Sequence, residues 1–148
     1  AEENSGKLVT LVRQNAKLIA EKEKRDFVIV DGPPGIGCPV IASLSGVDIA
    51  LIVTEPTLSG IHDLERIVGV AHHFGIKGVV CINKYDLNLV MTQRIEKYCR
   101  SNNIELVGNI PFDISVTEAL VRGLPIVEYS NNQVTHEIKN LWEKILEI

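Results

Sequence analysis

The sequence lacks several features that would assign it to a class at once. It has only three cysteines, Cys38, Cys81 and Cys99, and no Cys-x-x-Cys pair, which argues against a disulfide framework or a cysteine-pair metal site. Its 15 basic residues stand against 19 acidic ones, so charge does not point to nucleic acid as a partner. No apolar run approaches the roughly 20 residues that span a bilayer. These absences predict a cytoplasmic protein without a membrane span.

A complete phosphate-binding loop is also missing. Gly6-Lys7 supplies the Gly-Lys core, but the pattern G-x-x-x-x-G-K-[ST] requires an earlier glycine, a preceding strand, and Ser or Thr where this chain has Leu8. We interpret the stretch as the start of an amphipathic helix from about Gly6 to Lys24, with Asn4 or Ser5 as its cap. The predicted inward face comprises Leu8, Leu11, Val12, Ala16 and Ile19.

The composition favours one globular domain over residues 1–148, since 45% of the residues are hydrophobic. The chain is organised around Phe27–Asp31, an apolar run that predicts a buried strand ending on a carboxylate. Gly32-Pro33-Pro34-Gly35 follows at once, so the strand leads into a loop that is part rigid and part able to approach a ligand closely. Open α/β sheets place their ligand chemistry at such strand ends.

Helices and short apolar strands alternate along the rest of the chain. This order predicts an α/β fold in which a parallel sheet carries helices on both faces, in three Rossmann-like layers. The further predicted strands are Val47–Thr54, Val79–Ile82 and Glu105–Ile110, and an extended stretch is expected at Pro125-Ile126-Val127. The predicted helices run over about 39–44, 61–74, 89–102, 115–121 and 132–146.

Three further motifs follow these strands. Thr54-Glu55-Pro56-Thr57 is explained either as a ligand loop or as a helix N-terminus with Pro in its first turn. Asn83-Lys84-Tyr85-Asp86 fits either a base-recognition segment or an Asx-type turn that caps the next helix. Pro111-Phe112-Asp113 closes the last strand.

Together these motifs resemble the MinD/ParA superfamily of P-loop ATPases, in their order and over nearly the whole chain from Gly6 onward. The closest resemblance is to members with an inserted ferredoxin domain. It implies that Asp31 holds Mg²⁺ through water and that the loop with Gly35 senses the γ-phosphate, which makes these two the catalytic candidates. It also places Glu55 and Pro56 beside the nucleotide and a partner subunit.

The same resemblance implies a base pocket. In this family the asparagine corresponding to Asn83 contacts adenine, whereas GTPases use the aspartate corresponding to Asp86 for guanine. Backbone groups of the Pro111-Phe112-Asp113 loop are expected to contact the base edge. The expected cofactors are therefore ATP and Mg²⁺, with any iron–sulfur cluster held outside this chain.

The missing phosphate loop sets the limits of these expectations. We expect the C-terminal portion of a nucleotide-binding domain, or a chain that completes its site as a homodimer or with another polypeptide. ATP hydrolysis would then need the missing half, and an iron–sulfur protein would be the client. Pairing of Phe27–Asp31 with Val47–Thr54, or association of two chains, would cover the gap. The alternative is a non-catalytic α/β module that keeps the fold for protein interaction.

Overall fold

The computed structural model describes residues 2–148, with side chains from Gly6 onward. The helices are α1 (Glu2–Glu23), α2 (Cys38–Leu44), α3 (Leu58–His73), α4 (Leu89–Ser101), α5 (Ile114–Val121), α6 (Ile126–Tyr129) and α7 (Gln133–Leu146). The strands are β1 (Ile49–Thr54), β2 (Lys77–Asn83) and β3 (Glu105–Ile110), and a 3₁₀ turn covers Tyr85–Leu87. No described helix is long and apolar enough to cross a membrane.

The chain divides into two compact units. One contains residues 2–50 and Arg66–Lys77, and the other contains Leu51–Glu65 and Gly78–Ile148. The second unit holds β3, the four C-terminal helices, β2 apart from Lys77 and most of β1, and α3 is divided between the two units. The prediction of a single domain stays a prediction.

The sheet has the strand order β1-β2-β3, and β2 runs parallel to β3. Leu141 of α7 lies 3.3 Å from where a Cβ on Gly108 would stand, and Asn109 donates to Glu96 of α4 at 3.4 Å. Because successive residues of a strand face opposite sides, α7 and α4 cover opposite faces of β3. The predicted α/β fold with a parallel sheet and helices on both faces is confirmed.

The core of the second unit is centred on β2. Val79, Val80, Cys81 and Ile82 have no exposed surface, as expected for the central strand of a parallel sheet. By contrast, β1 is buried on one face only, because Ala50 and Ile52 are buried while Leu51 and Val53 are exposed. This strand was predicted to be buried, but only one of its faces is buried among the described residues.

The predicted strand at Phe27–Asp31 does not form. The segment belongs to none of the three strands of the sheet, and Ile29 is 80% exposed. A strand exists only where a neighbouring strand takes its backbone hydrogen bonds, and no strand of the described residues is paired with this segment. The expected pairing with the Val47–Thr54 strand is therefore also absent from the described residues.

Helix α1 forms as predicted but turns another face inward. Its least exposed positions are Gly6, Val9, Arg13, Ala16 and Ala20, and the Arg13 guanidinium donates to Ala42 O at 2.7 Å. Of the predicted inward set, Leu8, Leu11, Val12 and Ile19 are more than half exposed. Gly6 and Arg13 face α2, since a Cβ on Gly6 would lie 3.6 Å from Cys38 Cβ and Arg13 bonds Ala42, and the larger apolar side chains lie on the other faces of α1. The helix begins at Glu2, hence the predicted cap at Asn4 or Ser5 is wrong.

One smaller expectation in the second unit also fails. Pro125-Ile126-Val127 was expected to be extended, but Ile126–Tyr129 forms the short helix α6. Thr135 Oγ1 donates to Ser130 O at 2.7 Å and to Ile126 O at 3.2 Å, which ties the ends of α6 to α7. These non-local bonds could not be seen in the local sequence pattern.

Candidate functional site

The loop after β1 is built as the N-terminus of α3. Thr54 Oγ1 donates to Gly60 O at 3.0 Å, and Gly60 N donates to Thr57 Oγ1 at 2.9 Å. Pro56 lies between these bonded residues in the sequence and is buried, whereas Glu55 is exposed. The helix-start interpretation of Thr54-Glu55-Pro56-Thr57 therefore describes the local structure, and it leaves the Glu55 carboxylate available to other loops.

Gly60 allows this loop to close tightly. A Cβ at this position would lie 2.2 Å from Glu55 O and 3.0 Å from Thr57 Oγ1. Real Cβ atoms do not approach a carbonyl oxygen this closely, so any larger residue would push the loop away from the helix start. The absence of a side chain at residue 60 thus fixes the path of the Glu55-Pro56 segment.

The loop after β2 is held by three neighbouring segments. Lys84 has the left-handed backbone conformation, with φ 53°, and its Nζ lies 2.7 Å from Glu55 Oε1. Thr92 Oγ1 donates to Tyr85 O at 2.6 Å, and this bond joins the turn to α4. The loops after β1 and β2 are therefore connected by an ion pair.

Asp86 supplies the third attachment. Its Oδ1 accepts a hydrogen bond of 2.7 Å from the backbone N–H of Phe112, the central residue of Pro111-Phe112-Asp113. Asn83 pairs with Ile110 in the parallel ladder, so the loops that follow β2 and β3 leave the sheet side by side. The hydrogen bond between Asp86 and Phe112 therefore links these two loops beyond the last pair of the ladder.

Asn83 differs from its neighbours in the same motif. It lies at the end of β2 and is half-buried, and its side-chain amide makes no hydrogen bond to any other residue whose side chain the structure describes. Asn is both donor and acceptor at adjacent atoms, which suits the paired donor and acceptor of an adenine edge. The Asn83 amide is therefore not used in holding the loop, unlike Lys84 and Asp86.

Asp113 has a structural role at the start of α5. Its Oδ1 accepts from Ser115 N at 2.8 Å, and its Oδ2 accepts from Asn132 Nδ2 at 2.9 Å. The hydrogen bonds from the Ser115 side chain and backbone, with a smaller one from Asn132, hold the pKa of Asp113 below its usual value. Pro111 is buried and Phe112 is half-exposed, so the loop is firmly seated at both ends.

Asp31 and Gly35 belong to the unit that holds α1 and α2. Both are exposed in the irregular segment that leads from α1 into α2, and Gly35 has a φ of 91° that a residue with a Cβ rarely adopts. Their roles, like those of Glu55, Pro56, Asn83, Asp86 and the Pro111-Phe112-Asp113 loop, stay predictions.

Sequence reasoning did not identify Lys84 or Asn132 as parts of the site. Lys84 lies inside the recognised motif Asn83-Lys84-Tyr85-Asp86, but its partner Glu55 is in another loop. Asn132 caps α7 by accepting from Thr135 N at 3.2 Å, while its amide also bonds Ser115 Oγ at 2.7 Å. The cap can be predicted from the sequence, because Asn stands directly before a helix. The bonds from Asn132 to the start of α5 cannot be predicted in this way.

We next consider which of the described residues could hold a metal ion. No group of three or more His, Cys, Asp or Glu side chains able to hold a metal occurs among the described residues. Mg²⁺ in nucleotide sites commonly takes one or two carboxylates plus phosphate oxygens and water, so a single exposed carboxylate such as Asp31 fits this kind of site. Cys81 and Cys99 are buried, and burial raises the pKa of the Cys81 thiol to about 11, which does not suit cluster ligation in this unit.

A parallel sheet with helices on both faces, and with loops that follow the carboxyl ends of β1, β2 and β3, defines an α/β protein. Residues 8–146 match the family described as ParA: NUBPL iron-transfer P-loop NTPase. The chain belongs to this family, and the predicted relation to MinD/ParA-type P-loop NTPases is confirmed.

Three relatives show the breadth of the family. An uncharacterized protein of Methanocaldococcus jannaschii is 32% identical over 99% of this chain and 48% of its own length. The septum site-determining protein MinD of Bacillus subtilis is 28% identical over 99% of this chain and 57% of its own length. An iron-sulfur cluster carrier protein of Pyrococcus horikoshii is 27% identical over 82% of this chain and 45% of its own length. The chain spans about half the length of these relatives.

Solved structures show the same fold. The MinD cell division protein of Aquifex aeolicus superposes with a TM-score of 0.75 at 24% identity, over 100% of this chain and 61% of that one. MinD of Pyrococcus horikoshii, complexed with Mg-ADP, superposes with a TM-score of 0.73 at 20% identity over 98% of this chain and 56% of that one. At these identities the likeness establishes the fold alone.

Proposed function

We propose that this chain is the ATP-binding part of a MinD/ParA-type ATPase that acts with an iron–sulfur protein, and that it carries the base pocket and the Mg²⁺-linked loop. In the complete protein, meaning this chain joined to or associated with a phosphate-binding half, it hydrolyses ATP. Its iron–sulfur client is proposed from the family description and from the iron-sulfur cluster carrier relatives.

The observation that carries the proposal is that one polar side chain of the motif Asn83-Lys84-Tyr85-Asp86 is hydrogen-bonded to a neighbouring loop and another is not. The Asp86 carboxylate is bonded to Phe112 N, while the Asn83 amide has no partner among the described side chains. An asparagine amide can donate to and accept from adenine at the same time. The pocket therefore supports adenine as the base, with Asn83, Pro111, Phe112 and Asp113 around it and Glu55 and Pro56 at its side.

Asp31 is proposed to act on the phosphates through Mg²⁺. Its exposed carboxylate and the left-handed Gly35 lie in a loop that keeps polar groups accessible. When bound, Mg²⁺ neutralises charge that develops on the phosphates during transfer. The residues of this chain would orient the ion through water and keep the γ-phosphate in contact with the loop.

Each unit has exposed apolar residues that further protein could cover, which supports the proposal of a separate phosphate-binding half. On β1, an edge strand, Leu51 and Val53 are exposed, and in the other unit Phe27, Val28 and Ile29 are exposed. The open edge of β1 favours pairing with a further strand, and the exposed apolar residues of both units favour contact with another protein surface. We propose that a phosphate-binding half, or a second copy in a homodimer, covers them.

The test compares nucleotides and two variants in the complete protein. Asn83→Ala should weaken ATP binding by about 1–3 kcal/mol, since a polar partner of the base is lost. Asp31→Ala should lower Mg²⁺-dependent hydrolysis by about 100-fold or more while the circular dichroism spectrum is unchanged. Wild-type turnover by Asp31→Ala, or tighter binding of GTP than of ATP, would overturn the proposal.

The second candidate function is a non-catalytic interaction module with the same fold. The exposed apolar residues Phe27, Val28 and Ile29 also fit this function, because exposed apolar surface is typical of protein interaction sites. A complete protein that neither binds nor hydrolyses ATP, yet binds an iron–sulfur protein, would establish this alternative.

A further inference from the structure

We propose that Asp86 is a positioning residue, which fixes the Pro111-Phe112-Asp113 loop beside the base pocket and so adapts the pocket to adenine instead of guanine. The inference rests on the proposed function. It assigns Asp86 a role that differs from direct contact with the base.

The bond between Asp86 and Phe112 has the features of a structural latch. It joins residues 26 positions apart, and at 2.7 Å it is in the range of a charge-assisted hydrogen bond. Its two ends lie in loops that follow neighbouring parallel strands, which pair at Asn83 and Ile110. Because the ladder ends at that pair, backbone hydrogen bonds of the sheet do not hold the loops together beyond it. The hydrogen bond to the Asp86 carboxylate holds them instead.

The second end of the same loop is fixed independently. Asp113 accepts from Ser115 N and from Asn132 Nδ2, at 2.8 Å and 2.9 Å. Its position is therefore set by α5 and α7, whereas Phe112 depends on Asp86. Loss of the Asp86 carboxylate should release the Phe112 end of the loop and leave the Asp113 end in place.

The latch also limits how the Asp86 carboxylate could contact a base. Guanine presents two adjacent donors, N1–H and the 2-amino group, and a carboxylate that reads it uses both oxygens. Here Oδ1 of Asp86 is committed to Phe112 N. Because a carboxylate oxygen can accept a second hydrogen bond, guanine would not have to break this one, but it would have to use the carboxylate in the orientation that Phe112 N fixes. Adenine makes no such demand, because the Asn83 amide matches its donor and acceptor.

The first experiment measures the latch without nucleotide. Amide hydrogen exchange of Phe112 is followed by NMR in wild type, Asp86→Ala, Asp86→Asn and Glu143→Ala. Asp86→Asn keeps an acceptor oxygen at the same place, and Glu143→Ala removes an exposed carboxylate of α7 as the control for charge. We expect exchange at Phe112 to rise about tenfold in Asp86→Ala only. Unchanged exchange in Asp86→Ala would overturn the inference.

The second experiment measures base selectivity in the complete protein, by titration with ATP, GTP and xanthosine triphosphate. Asp86→Ala should weaken ATP binding about tenfold, and Asp86→Asn should stay within about threefold of wild type. Xanthine replaces the 2-amino donor of guanine by an oxygen, so a base-reading Asp86 would transfer preference to xanthosine triphosphate when changed to Asn. That transfer would overturn the inference.

The outcomes separate this inference from the proposed function. If wild type binds no nucleotide but Phe112 exchange still depends on Asp86, the base pocket is disproved and the latch is retained as a structural element without a role in selectivity. If Asn83→Ala loses ATP binding while Asp86→Ala changes neither exchange nor affinity, the ATP site is supported and the latch is disproved.

Discussion

Lys84 Nζ lies 2.7 Å from Glu55 Oε1, and this ion pair joins the loop after β2 to the loop after β1. The two side chains are 39% and 46% exposed, so water and salt screen their attraction. Lys84 also holds a left-handed backbone conformation that costs free energy for any residue other than glycine. The pair positions Glu55 but contributes little to global stability.

The first prediction concerns this pair. Lys84→Ala and Glu55→Ala should each lower the free energy of unfolding by less than about 1 kcal/mol, with a coupling between them of about 0.2–1 kcal/mol. Urea unfolding of the wild type, the two single variants and the double variant measures the coupling, and raising the salt concentration should reduce it. A coupling above about 3 kcal/mol would contradict the screened, exposed geometry.

The second prediction compares two glycines of α3. Gly60→Ala should destabilise the fold by about 1–3 kcal/mol, because the new Cβ would lie 2.2 Å from Glu55 O. Gly69, in the same helix, has nothing within 4 Å of its Cβ position, so Gly69→Ala should stabilise by about 0.5–1 kcal/mol through helix propensity. Thermal unfolding of both variants is the measurement. Equal shifts in the two variants would show that contact at residue 60 does not constrain the loop.

Sequence predicted those parts of the fold whose signal is local. Residues Val79–Ile82 and Glu105–Ile110 form strands as expected, since an apolar run between turn residues needs only a covered sheet. Phe27–Asp31 has the same apolar pattern and forms no strand, because pairing depends on a neighbour that the pattern cannot reveal. Leu11 of α1 is exposed for a related reason, since helical spacing shows an apolar face without showing what covers it.

The candidate site divides in the same way. Asn83 and Asp86 were identified by motif, and their chain positions at the end of β2 follow from the strand pattern. The bond from Phe112 N to Asp86 and the ion pair of Lys84 with Glu55 join residues far apart in sequence. Such contacts follow from the register of β2 with β3 and the path of each loop, which no local pattern specifies.

The third prediction concerns pH. Hydrogen bonds from Ser115 hold the pKa of Asp113 below its usual value of about 3.9. A carboxyl whose pKa is lowered by folding stabilises the folded state above its unfolded pKa, and this contribution is lost as pH falls through the folded pKa. Asp113→Asn keeps an acceptor for Ser115 N but cannot titrate.

The stability advantage of wild type over Asp113→Asn should therefore shrink as pH falls from about 5 to about 2. Thermal unfolding at several pH values in this range measures the difference, with Asp48→Asn as the control for an exposed aspartate of the other unit. A difference that stays constant across the range would show that the Asp113 cap does not depend on its charge.

The fourth prediction is that this chain alone binds Mg-ATP weakly, with a Kd above about 1 mM. The chain supplies the base pocket and Asp31, but residues 6 and 7, which hold its Gly-Lys pair, lie within α1 and form no loop that could surround a phosphate. Backbone N–H groups and a lysine provide most of the positioning and charge stabilisation of the β- and γ-phosphates in P-loop proteins. Without them the triphosphate stays in water and the base contacts act alone.

Calorimetric titration of Mg-ATP into this chain and into the complete protein measures the difference, and Asn83→Ala in both is the control that reports the base pocket. We expect micromolar binding by the complete protein only. Micromolar binding by this chain would show that it builds a phosphate site of its own, and Lys7→Ala would then test whether α1 contributes to it. If neither Asn83→Ala nor Lys7→Ala weakened this binding, the nucleotide would lie elsewhere. The assignment of an adenine site to the loops after β2 and β3 would then be wrong.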